Sequence, residues 1–175
     1  MNRIIAALAT GALLCGVSSM SVADDFYPGY IGVSYVQLET DDRFFDDSKD
    51  QTGDLMIRVG GKINDHFVSE LRVGATIVPE EEGGQEYRND YFVGGFLRVQ
   101  KQFGGFVPYV GLSYTYIKES FDDASATLQD LGYAAGFDLG LGERLGLNVE
   151  YWAMTGEPFD DFGRQGPSVG AFYRF

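Results

Sequence analysis

Along most of this chain apolar and polar residues alternate with a period of two, and eight stretches of about ten residues can each be phased to leave one face free of charge. Ile31, Val33, Tyr35 and Gln37 open the series, and Leu55, Ile57, Val59 and Gly61 continue it. It runs on through Phe67 to Ile77, Tyr91 to Val99, Val110 to Tyr116, Leu131 to Leu141 and Leu145 to Ala153, and closes with Val169, Ala171, Tyr173 and Phe175. No alternate residue on that face is Asp, Glu, Lys or Arg. The opposite phase mixes Arg58, Glu70, Arg72, Arg98, Asp138, Glu150 and Arg174 with glycines, serines and aromatics. A half-buried sheet in water sorts the other way, with charge outside and a dry core within. An uncharged exterior around a polar interior is what a strand facing lipid requires. The pattern therefore predicts an all-β protein, an eight-stranded antiparallel transmembrane β-barrel.

The connectors alternate in length. Residues 39–53, 78–90, 118–130 and 155–166 read as long loops, whereas Ile63 to His66, Lys101 to Phe106 and Gly140 to Arg144 read as short turns. Asn64-Asp65 and Gly104-Gly105 are hairpin chemistry, and Gly142 marks the third turn. In such a barrel the short turns are periplasmic and the long loops extracellular. All five prolines are expected in loops or near strand ends. Outward tyrosines at 35, 91, 114, 116, 133 and 151 gather toward the long loops, and Phe67, Tyr173 and Phe175 mark the other end, as two interfacial girdles would.

Charge sharpens this picture. The formal net charge is −13, and the four long connectors hold 18 of the 26 acidic residues but only 5 of the 13 basic ones. The acidity is thus a crown on one rim, which argues against nucleic acid as a partner. Pairs such as Asp41-Asp42, Asp46-Asp47, Asp122-Asp123 and Asp160-Asp161, with Glu80-Glu81-Glu82, offer hard oxygens that could hold a divalent cation; hydrated, mutually repelling loops are the favoured reading, and no metal ligand is assigned. The stretch from Asp46 lacks the Gly and closing Glu of an EF-hand.

Residues 1–23 combine a single early charge, Arg3, an apolar run from Ile4 to Val17 and the small-x-small triplet Ser21-Val22-Ala23. They read as a signal peptide, leaving a barrel domain over 24–175 that begins at Asp24. Leu14 before Cys15 fits a lipidation motif poorly.

The signal-like start, the eight alternating strands and the terminal Tyr173-Arg174-Phe175 resemble small porin-like outer-membrane barrels of the OmpA/OmpX type, over the whole of 24–175. That resemblance implies a bacterial outer-membrane location, contact with outer-membrane lipids and lipopolysaccharide, and handling by the barrel assembly machinery, which reads a C-terminus ending in two spaced aromatics.

Sorting the inward residues by height predicts a polar lower lumen and an apolar upper one. The lower set, Arg58, Glu70, Arg72, Arg98, Asp138, Glu150 and Arg174, is expected to form an ion-pair network filling a narrow barrel; a gate for ions is the functional alternative. The upper set, Val36, Leu38, Met56, Phe92, Ile117, Trp152 and Met154, reads as packing beneath the loops or as a pocket for a small apolar molecule, similar to the cavity of OmpW-like barrels. No cofactor is implied. Lipid A-modifying barrels carry a catalytic histidine toward the outer leaflet, but the only histidine here, His66, falls in a short turn. The expected role is therefore non-enzymatic, structural or surface-interacting, with passage or binding of small apolar solutes as the first alternative and lipid A modification as the second.

Overall fold

A computed structural model describes residues 28–40, 50–82, 85–121, 124–155 and 163–175; the expected signal peptide, Cys15 and the acidic pairs at 41–42, 46–47, 122–123 and 160–161 lie outside the described residues. The strands are β1 (Gly29–Thr40), β2 (Asp50–Lys62), β3 (Phe67–Val78), β4 (Glu80–Glu82), β5 (Gln85–Gln100), β6 (Phe106–Phe121), β7 (Ala124–Gly140), β8 (Leu145–Thr155) and β9 (Gly163–Arg174). Pro79 separates β4 from β3 because it has no N–H to donate, so the two make one stave. Neighbours pair antiparallel in the order β3-β2-β1-β9-β8-β7-β6-β5-β4, and β3 also pairs with β5. The result is a closed eight-stranded antiparallel barrel with no open edge along its wall.

The two-residue phase holds as expected. Ile57 is 50% exposed while Met56 and Arg58, on either side of it, are fully buried. Tyr35, Tyr91, Tyr114, Tyr133 and Tyr151 stand exposed near one rim, and Tyr91 stacks on Tyr116 with ring centroids 6.4 Å apart. Phe67, Phe103, Phe106, Tyr173 and Phe175 ring the other. Inside, bulky rings sit directly across from glycines: Tyr30 faces Gly60, Phe92 faces Gly74 and Phe172 faces Gly146. A Cβ built at Gly74 would overlap the Phe92 ring, so these glycines make room for aromatics in a narrow bore.

The three short turns are built from local hydrogen bonds. Asn64 Oδ1 accepts from the backbone N–H of His66 and of Phe67, each at 2.9 Å. Gly104 adopts φ +61°, and the Leu141 N–H donates to the Leu145 carbonyl at 2.9 Å.

Two expectations need correction. The connectors at 78–90 and 118–130 are largely strand: β4 pairs with β5, and β6 pairs with β7 all the way to Phe121↔Ala124. With 16 and 17 residues, β6 and β7 exceed the roughly 9–11 needed to cross a bilayer, so their ends project beyond it. Outside lipid the outward face need not be apolar, which is why charge there resembled a loop. Pro167 lies five residues into β9 rather than at its end, and the β1–β9 register lapses there, between Val36↔Ser168 and Glu39↔Gln165. Gly166 allows the backbone to press against the Gln37 carbonyl, where any Cβ would collide.

Candidate functional site

From the short-turn end the interior is layered. Tyr30, Val68 and Phe172 form a small apolar cluster at the bottom, beside Lys62, Gln100 and Arg174. Above it three arginines meet three carboxylates. Arg72 grips Glu150 with two nitrogens, at 2.6 and 2.9 Å, and reaches Glu70 at 2.8 Å. Arg98 pairs with Asp138 at 2.9 Å and Glu70 at 3.3 Å. Arg58 stands 3.6 Å from Asp138, its guanidinium held between the rings of Tyr30 and Phe172 at 5.6 and 5.7 Å. All six are buried. Charges in such a place persist only when paired with good geometry, and the bidentate Arg72–Glu150 contact is the strongest form of pairing.

Six of the seven residues expected in a lumen network are therefore brought together. The seventh, Arg174, is not: it lies at the short-turn mouth, over the Phe172 ring at 4.9 Å, with no acidic partner among the described residues. The network also uses residues the charge pattern did not reveal. Tyr30 donates its hydroxyl hydrogen to Glu70, and Tyr109 donates to Glu150 at 2.7 Å. Asn148 donates to the Tyr109 hydroxyl and to Asp138, both at 2.8 Å. Their inward phase was readable, but nothing in a sequence tells which inward hydroxyl meets which carboxylate.

The apolar set comes next. Val36, Leu38, Met56, Phe92, Ile117, Trp152 and Met154 are each at most 2% exposed and pack with Phe96, Tyr109 and Ala134. Phe92 meets Trp152 edge-on at 5.6 Å, Trp152 donates to the Ser113 hydroxyl at 3.3 Å, and Arg72 lies 3.7 Å over Phe96 where the two layers touch.

This layer is not the top of the lumen, contrary to the expected two-part sorting. A second polar layer covers it. Asp54 accepts hydrogen bonds from the Thr76 hydroxyl and, at 3.0 Å, from Asn89. Arg164 bonds to Glu119 and stands 4.0 Å from Asp130. β-bulges set this layer: the register slips at Gly53/Asp54 and again at Asn89/Tyr91. Glu119, Asp130 and Arg164 belong to the acidic crown as the sequence presents it; with Asp130 and Arg164 buried and Glu119 half-buried, part of the crown's charge is compensated inside the barrel. Farther out, Asp90 accepts from Ser120 at 2.7 Å, and that bond together with Lys118 holds its carboxyl below the usual range.

No group of three or more His, Cys, Asp or Glu among the described residues is arranged to hold a metal ion. Side chains of Glu80, Glu81 and Glu82 are not described, although their backbone forms β4.

Among the described strands, β6 and β7 continue together past the end of β8. β7 pairs with β8 only from Leu131↔Thr155 downward, so no described strand pairs with residues 124–130 on the side away from β6. Ser125, Ala126, Thr127, Leu128 and Gln129 are exposed.

No curated protein matches the chain. Solved structures do, at identities that speak to fold alone. Neisserial surface protein A shares 16% identity at a TM-score of 0.67, covering 84% of this chain and 97% of its own. Ail, the attachment invasion locus protein of Yersinia pestis, solved in complex with the heparin analogue sucrose octasulfate, shares 17% at a TM-score of 0.60, covering 86% of this chain and 100% of its own. The outer membrane protein OprG of Pseudomonas aeruginosa shares 16% at 0.57, covering 85% and 96%. The outer membrane protein β-barrel domain matches residues 7–175, nearly the full length, and with the closed barrel and its lipid-facing wall this makes the chain a member of that family, a protein of the bacterial outer membrane.

Proposed function

We propose that this barrel is a non-enzymatic scaffold that presents a β-edged, acidic surface outside the cell to a cationic partner protein. The edge of β7 at residues 124–130, with which no described strand pairs on the side away from β6, carries the reading. It has five consecutive exposed residues from Ser125 to Gln129, and no proline or basic residue blunts it. Natural proteins usually guard such edges, and an unguarded one is a template on which an extended segment adds a strand. The acidic crown favours a basic segment. Ail was solved with a polysulfate, but a polyanion suits this rim poorly.

The filled interior supports a scaffold over a conduit, because an ion-pair layer, an apolar layer and a second polar layer follow one another along a bore that eight strands leave just wide enough for side chains. The apolar residues being roofed by Asp54, Asn89 and Arg164 favours packing over a solute pocket. His66, exposed in a short turn, favours no catalytic role.

The test uses the full protein in lipid nanodiscs and an extended peptide of alternating lysine and valine. Saturable binding that weakens with salt and is lost in Thr127→Pro is the expected result. Binding indifferent to Thr127→Pro, or discrete channel openings in planar bilayers by the unmodified protein, would overturn it.

A further inference from the structure

On the lipid-facing wall of β7, β8 and β9 lies a broad groove of about 460 Å³. Five outward side chains line it: Ala135, Tyr151 and Pro167 in one cross-strand row, and Phe137 and Val149 in the row beneath. On β7 the outward face drops from Tyr133 to Ala135 and rises again to Phe137, and this dip in side-chain size opens the groove. Behind it the wall is closed, because Tyr109 and Glu150, joined by a hydrogen bond of 2.7 Å, pack on the lumen side. Its sides are rigid. The Phe137 ring rests against that of Phe106 at 5.5 Å, and the Pro167 ring has no rotamers to lose. A preformed groove orders its occupant at little cost, so it holds one lipid chain longer than flat wall does.

Two residues along β9 from Pro167 toward the long loops, the same outward face turns polar. Gln165 pairs with Glu39 across the β1–β9 seam, and Glu39 pairs with Gln51 of β2. Gln51 accepts from Gln37 at 3.1 Å and donates to Glu39 at 2.8 Å. Gln37 and Glu39 follow Tyr35 in the outward phase, so this ladder stands above the tyrosine girdle. It begins about 7 Å up the strand from the groove, where acyl chains give way to headgroups.

We propose that this face binds one glycolipid of the outer leaflet, with an acyl chain in the groove and the hydroxyls of its sugar headgroup on the ladder of Gln37, Gln51 and Glu39. Groove and ladder are continuous with the wall that already meets lipid, and their vertical order is that of such a molecule. Amides both donate and accept, as hydroxyls do, whereas the Glu39 carboxylate repels a phosphate, so the ladder reads sugar.

The experiment places the full chain in phosphatidylethanolamine nanodiscs doped with digalactosyl diacylglycerol or with phosphatidylglycerol of the same acyl chains, and native mass spectrometry counts the lipids that stay bound on release. One digalactosyl diacylglycerol per barrel, in preference to phosphatidylglycerol, is expected. Ala135→Phe, which fills the groove, should weaken its retention about tenfold. Gln51→Ala should abolish the preference between the two lipids. Ala75→Phe, the same change on the outward face of β3, should leave both readings unchanged. Gln51 lies above the apolar band, so Gln51→Ala keeps the test informative if Ala135→Phe fails to insert. Equal retention of the two lipids by the unmodified protein, retention indifferent to Ala135→Phe or preference indifferent to Gln51→Ala, equal loss in Ala75→Phe, or a barrel dimer that excludes lipid overturns the proposal.

Discussion

The lipid-facing wall and the interior obey different kinds of rule. The wall answers one demand, exclusion of charge, and Ile, Val, Leu, Tyr and Ala satisfy it interchangeably along every stave. The interior answers many local demands at once: Glu70 takes bonds from Arg72 and Tyr30, while Glu150 takes them from Arg72 and Tyr109. The contrast teaches that a membrane barrel is generic where it meets its solvent and specific where it meets itself; relative to a soluble protein it is polarity that is inverted, with the charges inside and the apolar residues outside.

Substitutions on either side of the wall can break or sharpen that contrast, with stability read from urea unfolding in lipid vesicles using the sole tryptophan, Trp152. The largest loss is expected inside. Glu150→Ala removes the bidentate partner of Arg72 and leaves three buried arginines facing two carboxylates, and should cost about 3–5 kcal/mol, whereas Glu150→Gln, which keeps the shape and one acceptor, should cost less. A cost for Glu150→Ala within about 0.5 kcal/mol, the range of an ordinary surface change, would show the network to be dispensable. Next comes the one demand the wall does make: Val149→Arg, near mid-membrane on the outer face, should cost roughly 2–4 kcal/mol. Tyr109→Phe removes only a hydroxyl that links Asn148 to Glu150, and a loss of about 1–3 kcal/mol is expected. At the small end, Ile57→Leu on the outer wall should stay within about 0.5 kcal/mol; a loss matching that of Tyr109→Phe would mean that the wall is as residue-specific as the interior.

The same contrast explains what the sequence made legible. Lipid imposes its rule at every second residue, so the faces of all eight staves and both aromatic girdles could be read directly. Partners inside the bore depend on which strands face each other across it, and that follows from closure rather than from local pattern. Hence Arg72 and Glu150, 78 residues apart, were assigned to one network but not to each other, and Tyr30 and Tyr109 were passed over. Arg174 was grouped by phase although its height removes it from the ion pairs. The upper polar layer was missed for a different reason. Glu119, Asp130 and Arg164 fall in stretches whose acidity suggested loops, while the strands there continue past the bilayer, where alternation no longer has lipid to enforce it.

The lapse at Pro167 has a consequence for how the ends of the chain find each other. A slip of β9 along β1 by one residue would turn every lipid-facing side chain inward and exclude itself, but a slip by two would preserve both faces and pass the hydrophobic criterion unnoticed. Pro167 is a missing tooth in the zip. In the observed seam the pairing already lapses there, with Gly166 against the Gln37 carbonyl, whereas a slip by two toward the short turns would set Pro167 opposite Tyr35, where it has no N–H to give. One residue without an N–H thus weighs against a slip in that direction.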